Sequence, residues 1–404
     1  MLLHLMGKLQ QKLGFKLRAL HVDHNFQAGS ASWLSHCQTV CADYDVPLKT
    51  TTLNLDSSSE AAARSARYQW MHEQLSVGSV LMTAHHQQDR AETFLFNLMR
   101  GAGSAGLSSL RSMRPFYSAN LARPLLTFSK NELQQYARSN DLHWIEDPSN
   151  EDTRYSRNDI RKNVIPALSD FREDAIQNIA RAAANLEREN ALMREVAIAD
   201  LVEVREHPKH PQDQSHALCI DDLVFFSPVR QANLVRFWLH SLKLHTPSQR
   251  FLARILDAIS TPPSATAVLQ EEGFQFRFYK GFMYVMPAAY QEPVFDCVEW
   301  QNPDQPLGLF SNKIHIGAKP KLHELVDSHK PDKLRLSARA HVSNPQALQG
   351  HSLNLKKWMQ DVGVPPWRRQ SLPILTYTKK DTTVVLTAVD QSLHNDWISL
   401  HRPV

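Results

Sequence analysis

The chain opens on an amphipathic pattern. Leu2, Leu5, Met6, Leu9 and Leu13 recur at helical spacing, which predicts a helix over residues 1–13, and Gly14 stops it. Residues 16–23 switch to a strand pattern with a polar, charged tip. From there to about residue 145, strand-like and helix-like stretches alternate. LRALHVD reads as a strand, residues 28–44 as a helix, VPLKTTTL as a strand and residues 58–75 as a helix. Ser57 to Ser59 offer that helix an N-cap, and Glu60 suits its first turn. SVLMTAH is a short apolar strand. Residues 87–100 form a helix with Phe94, Leu95, Leu98 and Met99 on its inner side, closed by Gly101. Strands separated by helices of this length predict an α/β fold with a parallel sheet covered on both faces.

Further along, residues 129–140 read as a helix and LHWI (142–145) as a strand, followed by the polar, turn-rich run EDPSNEDTRYSRNDIRKNVIPAL. Residues 170–205 form a long charged helical stretch resembling a connector. HPKHPQDQSH is a loop, residues 220–260 are helical again, and residues 266–287 read as strands. Four prolines between residues 287 and 306 mark a boundary, and residues 320–404 alternate strand and helix on a small scale. The predicted organisation is a nucleotide-binding-type domain over 1–168, a connector and mostly helical middle domain over 169–292, and a small α+β C-terminal domain over 293–404.

Composition narrows the partners. At 404 residues, 42% apolar and 21% charged, the chain fits a globular protein of two or three domains. Its 45 Lys and Arg leave a net charge of +4 and a pI near 8.8, a balance compatible with a polyanion. Cys37 and Cys41 are one helical turn apart, with Cys219 and Cys297 distant from them and from each other. That is neither a zinc site nor a disulfide scaffold. No run approaches the ~20 apolar residues of a membrane span. Residues 1–13 carry Lys8 and Lys12 and are followed by no small-residue cleavage site, so a cytoplasmic protein is expected.

In a parallel α/β sheet, ligands gather at the carboxyl ends of the strands. Four stretches at or near these ends stand out in the prediction. HVDH supplies His21, Asp23 and His24. TAHHQQDRAET supplies His85, His86, Asp89 and Glu92. Between them, Arg64 and Arg67 lie three apart on one helix face, and RGAGSAGLSSL adds a glycine-rich loop. Carboxylates at such a mouth suit Mg²⁺, and the arginine fork suits phosphate oxygens. Each feature alone has an ordinary structural explanation: a capping Asp, surface arginines, a plain turn. Their order and spacing together point further.

The combination of HVDHNFQ (21–27), EAAARSARY (60–68), TAHHQQDRAETFLFNLMRGAGSAGLSSL (83–110), RPLL (123–126) and WIEDPSNEDTRYSRNDIRKNVIPAL (144–168) resembles the tRNA(Ile)-lysidine synthetase family of the PP-loop ATP pyrophosphatases. LKKWMQDVGVPPWRRQSLPIL (355–375) is similar to that family's C-terminal domain. The resemblance implies an adenine nucleotide alpha hydrolase-like sheet. It also implies use of ATP and Mg²⁺, and two substrates, free L-lysine and tRNA(Ile) with a CAU anticodon. The implied reaction adenylates C2 of cytidine-34, and lysine then displaces AMP to give lysidine, which changes decoding from AUG to AUA. A homodimer is compatible with it.

Residue by residue, the resemblance places Asp23, with His21, His24 and Gly101, near the nucleotide and Arg64 and Arg67 near phosphates. It places His86 and Asp89 near the reacting base, with Asn158 and Arg161 facing the site, and assigns Asp89 and Glu92 to the metal. Lys356, Lys357, Arg368 and Arg369 are expected on the tRNA backbone.

Three departures stand out. The family begins with a strand and an SGGxDS loop. No such run occurs in these 404 residues, so the resemblance implies a first strand and loop upstream of Met1. Gln88 and Arg90 stand where the family has Asp and Gln, and Arg90 is expected to serve phosphate instead. Residues 335–350 lack a Gly-Asp-Arg expected near Arg339. Two alternatives follow: a tRNA-binding protein without catalysis, or a PP-loop tRNA thiolase, which would lean on cysteines that no C-x-x-C motif here provides.

Overall fold

The computed structural model describes residues 1–23, 30–53, 60–146, 156–205, 216–290, 297–299, 307–309, 314–316, 333–342, 354–361, 364–379, 382–390 and 396–399. They fall into two compact units, Met1–Leu192 and Met193–Val404.

The first unit starts with α1 (Leu2–Leu13), which Gly14 ends at φ +70°, as its pattern predicts. His4 and Gly7 are its buried residues. The His4 ring is held 2.6 Å from the Tyr44 hydroxyl, and Gly7 lies so close to the Tyr44 ring that a Cβ would meet it at 3.3 Å. β1 (Ala19–Asp23) and β2 (Leu48–Thr52) pair in parallel around α2 (Ser30–Asp43). After α3 (Glu60–Glu73) comes β3 (Val80–Met82), parallel to β5 (Ala119–Ala122), with β4 (Met113–Phe116) antiparallel on the outside. The parallel α/β architecture is therefore present, with the described strands hydrogen-bonded in two sets, β1–β2 and β3–β5–β4. Leu81, Phe116 and Leu121 form a small core joined by Leu20 of β1 and by Tyr68 and Met71 of α3.

The β4–β5 hairpin was not legible, because Pro115 within β4 reads against a strand. Proline is tolerated there because β4 is the outer strand of its set. Residues 142–145 correct the prediction in the opposite sense. They form no strand, and Trp144 and Ile145 stand 46% and 43% exposed. A short apolar run without a partner strand has no ladder to join. After α5 (Ser104–Leu107) and α6 (Lys130–Ser139), the turn-rich run is helical from Ser156: α7 (Ser156–Asp159), a π-helical turn over Ile160–Val164, and α8 (Ile165–Phe171) follow one another.

The expected inner face of α4 (Gln87–Met99) also needs correction. Leu98 and Met99 are exposed, and the buried residues are Arg90, Ala91, Glu92 and Thr93. Polar side chains with dedicated partners displace the apolar ones from the interior.

The second unit contains the last turns of α9 (Ala175–Glu203), then β6 (His216–Cys219), α10 (Ile220–Val224), α11 (Pro228–Ser241) and α12 (Gln249–Ser260). The antiparallel β7 (Val268–Glu271), β8 (Phe274–Tyr279) and β9 (Phe282–Pro287) complete a sheet in the order β6-β9-β8-β7. Strand periodicity buries Phe274, Phe276 and Phe278 against Phe251, Leu252, Ile255 and Ile259 of α12. The short β6 falls between the loop expected up to residue 216 and the helix expected from residue 220, since four residues show no periodicity. Farther on, a five-stranded antiparallel sheet holds Lys333–Ala338, Pro373–Lys379 and Thr382–Asp390 as its consecutive central strands, and the helix Leu355–Asp361 contributes Leu355 and Met359 to a core with Ile374.

Candidate active site

The site forms where β3 hands over to α4. Thr83 closes the strand by donating its N–H to the Ala122 carbonyl at 3.1 Å, and its hydroxyl lies 2.8 Å from His85 Nδ1. His86 is the N-cap of α4. Its Nδ1 accepts the Gln88 N–H at 3.3 Å, while Asp89 Oδ2 accepts the His86 N–H at 2.8 Å. This reciprocal cap satisfies orphan amides and fixes both side chains at the helix N-terminus. His86 Nε2 and Asp89 Oδ2 are 3.5 Å apart. The expected juxtaposition of these two residues thus has a local cause: one caps, the other answers.

Arg161 arrives from the π-helical turn, a kind of distortion that often marks functional positions. Its Nε donates to Glu92 Oε1 at 2.7 Å and its Nη2 to Glu92 Oε2 at 2.8 Å, with Asp89 Oδ1 3.8 Å away. Gln88 Nε2 donates to Glu92 Oε1 as well, at 3.2 Å. Glu92 is 3% exposed, so three donors hold a carboxylate that has almost no water. Hydrogen bonding to Glu92, with the Glu92 and Asp89 charges, raises the Arg161 pKa against the effect of burial. The YSRNDIR run is thereby fastened to the AHHQQDRAET run, and Asn158 lies half-buried on α7, which packs against α4.

His85 is the titratable group most altered here. Burial pulls its imidazole down to about 4, with Arg123, Arg64 and Arg157 acting in the same direction and Asp89 opposing. Arg64 therefore belongs to the electrostatic surroundings of this helix end. It also donates to the Tyr68 hydroxyl at 3.3 Å and lies over that ring at 4.8 Å, while Arg67 lies over it at 5.7 Å.

Several expectations are corrected. Gly101 is not at this end. It follows the C-cap Arg100, about 20 Å along the 13-residue α4, and its φ of +72° makes it the helix terminator. Arg90 is unavailable to phosphate: only 6% exposed, it donates to Glu187 at 2.9 Å and to the Leu110 carbonyl at 3.3 Å. The Asp89–Glu92 metal pair does not fit. Glu92 is occupied by Arg161, and the described residues contain no group of three or more His, Cys, Asp or Glu that suits a metal ion.

His21 turns toward α2, 3.6 Å from Cys37 Sγ. Asp23 ends β1, its carbonyl accepting the Leu53 N–H at 2.8 Å, and His24 lies outside the described residues. Lys356 and Lys357 are exposed on the helix Leu355–Asp361. Arg368 is half-buried beside Trp367. Arg369 is half-buried too, donating to the Val364 carbonyl at 3.0 Å and to the Tyr279 hydroxyl at 3.4 Å. Sequence reasoning missed Arg123, 3% exposed behind α3, and Glu187, the partner of Arg90. Arg123 opens the RPLL run without a stated role, whereas Glu187 has no local signal, because its partner Arg90 lies 97 residues away.

Comparison with known proteins places the chain. A family model of the PP-loop domain matches residues 1–168, one of the TilS substrate binding domain matches residues 218–284, and one of the TilS substrate C-terminal domain matches residues 334–398. A tRNA(Ile)-lysidine synthase of Yersinia pseudotuberculosis is 33% identical over 396 residues, covering 93% of this chain and 86% of that protein. One from Pseudomonas aeruginosa is 34% identical over 383 residues, covering 93% and 84%, and one from Escherichia coli O157:H7 is 33% identical, covering 90% and 83%. Among solved structures, a U34-tRNA thiolase of Methanococcus maripaludis aligns at 15% identity and a TM-score of 0.39, covering 46% of this chain and 66% of that one, too slight a likeness to weigh. With relatives of this identity matched along nearly its whole length, the chain belongs to the tRNA(Ile)-lysidine synthase family, tRNA-modifying enzymes built on a PP-loop domain.

Proposed function

We propose that this protein ligates L-lysine to C2 of cytidine-34 in tRNA(Ile) bearing a CAU anticodon, in two steps. The cytidine oxygen attacks the α-phosphorus of ATP and pyrophosphate leaves. The lysine amine then attacks C2, the C2–O bond breaks, AMP leaves carrying that oxygen, and the amine gives up a proton. What carries the reading is the joining of two family motifs at one helix end, by the Arg161–Glu92 clamp, in a chain matched along its length by lysidine synthases.

In this reading His86, oriented by Asp89, faces the reacting base. Arg161 and Asn158 border it, and Arg64 and Arg67 neutralise phosphate as charge develops. Asp23 belongs to the nucleotide side. Base extraction is inexpensive because the anticodon loop already splays its bases. Lys356, Lys357, Arg368 and Arg369 contact the tRNA backbone. The three-part organisation (1–168, 169–292, 293–404) assigns chemistry to the first part and tRNA binding to the other two.

Incubation with α-labelled ATP tests this. AMP release that requires both tRNA(Ile) and lysine is expected. Binding of tRNA with no AMP formed under any combination contradicts it and favours the non-catalytic tRNA-binding reading.

A further inference from the structure

A second feature of the first unit lies beside the helix end already described. The β4–β5 hairpin turns through Tyr117 and Ser118. Tyr117 occupies the left-handed region at φ +52°, where a two-residue turn ordinarily takes glycine or asparagine. The ring is 66% exposed. One face stacks on His72 at 4.0 Å between centroids and 9° between planes, and Phe116 meets the ring at 5.0 Å and 84°, contacts that hold the ring in place while most of it stays exposed. Below the tip is an open cleft of about 490 Å³ between α3 and β4, lined by Arg64, Ser65, Tyr68, Arg114 and Phe116.

The charge here is one-sided. Arg64 lies over Tyr68 at 4.8 Å and Arg114 over Phe116 at 5.7 Å. Behind them, the nearly buried Arg123 donates to the Arg111 carbonyl at 2.8 Å, and its Nε has no hydrogen-bond partner. Burial lowers the Arg123 pKa, and Arg114 and Arg64 push it the same way, while a hydrogen bond to Tyr68 opposes them. Among the described residues no carboxylate pairs with Arg64, Arg114 or Arg123. Three guanidinium groups with no carboxylate partner among the described residues, next to an exposed aromatic ring, match a phosphate adjoining an unpaired base.

We propose that this cleft is a nucleotide subsite for the RNA substrate: one unpaired base stacks on the outer face of Tyr117, and its flanking phosphate lies on Arg114 and Arg64 above Arg123. The proposal rests on the reading of the protein as a tRNA-modifying enzyme and adds a contact outside the reacting helix end. Since Arg64 belongs to both, the subsite fixes one nucleotide of the loop relative to the site. Its occupant is RNA rather than free ATP, because the stacking face is at an exposed hairpin tip.

The test measures binding of a tRNA(Ile) transcript and, separately, of ATP to Tyr117→Gly, Tyr117→Trp and Arg114→Gln. Glycine relieves the left-handed backbone, so Tyr117→Gly should fold at least as well as the wild type. It should bind tRNA about 10-fold or more weakly, while Tyr117→Trp retains affinity. Arg114→Gln should lower the slope of log affinity against log salt by about 0.7. ATP affinity should not move in any variant. Unchanged tRNA affinity in both Tyr117→Gly and Arg114→Gln, with the wild type binding and modifying tRNA, overturns the subsite and leaves the function standing. Loss of ATP binding in place of tRNA binding also overturns it. A wild-type protein that binds no tRNA removes both.

Discussion

Held in α4 with its carboxylate on Arg161, Glu92 depends on its partners for nearly all its solvation. Arg161→Ala leaves that charge with the Gln88 amide alone, and a loss of about 3 kcal/mol is expected in denaturant unfolding. In the double variant Arg161→Ala/Glu92→Gln the loss should be smaller than in the single one. His85 gives a pH signature. Its folded value, about 4, lies below the ordinary 6.5, so the unfolded chain takes up the proton first on acidification. The stabilisation is complete above about pH 6.5 and declines as pH falls toward 4. The His85 ring resonance should stay unmoved from pH 8 to 5 by NMR; a midpoint near 6.5 contradicts the burial. The sequence marked His86 and Asp89 because both sit in one short run at a strand end. It mis-assigned Glu92, since a carboxylate at that spacing reads alike whether a metal or an arginine 69 residues later completes it.

At the scale of elements, α4 is anchored at both ends by different means. Its N-terminus carries the reciprocal His86–Asp89 cap, and its C-terminus ends at Gly101, with the Gly101 N–H donating to the Leu98 carbonyl at 2.9 Å. Gly101→Ala should cost about 1 kcal/mol through its positive φ, with ATP and tRNA affinity unchanged. A loss of ATP binding instead would restore the nucleotide role that the sequence suggested. Along its side, Arg90 ties the helix to Glu187 of α9, which also accepts from the Ser112 N–H and hydroxyl. Alternation of period two and period 3.6 made α1, α3, α4 and β1 to β3 legible, and Gly14 and Gly101 punctuated them. The β4–β5 hairpin and β6 escaped because they show neither a period nor the apolar run that marks β3, and Pro115 argues against β4. The inner face of α4 was misread because Arg90 and Glu92 are polar in sequence, yet their partners from α9 and the π-helical turn make them interior.

Across the whole molecule, the basic excess is modest, and exposed cations occur in the second unit as well as the first. Lys356 and Lys357 are exposed in the second unit, whereas Arg369 is engaged with Tyr279 and Val364. Replacing both lysines by glutamine should weaken tRNA binding and reduce its log–log salt slope by roughly 1.5, read by filter binding at several salt concentrations. An unchanged slope removes them from the backbone contact. No helix among the described residues is long and apolar enough to cross a membrane. The family was legible in the sequence because its motifs are continuous runs, and relatives at 33–34% identity match the chain nearly end to end. The central claim is that lysine ends on cytidine-34. Nucleoside mass spectrometry of tRNA(Ile) after incubation with the protein, ATP and isotope-labelled lysine tests it most directly. Labelled lysidine at position 34 is the expected result; unmodified cytidine at that position, with tRNA and ATP both bound, contradicts it.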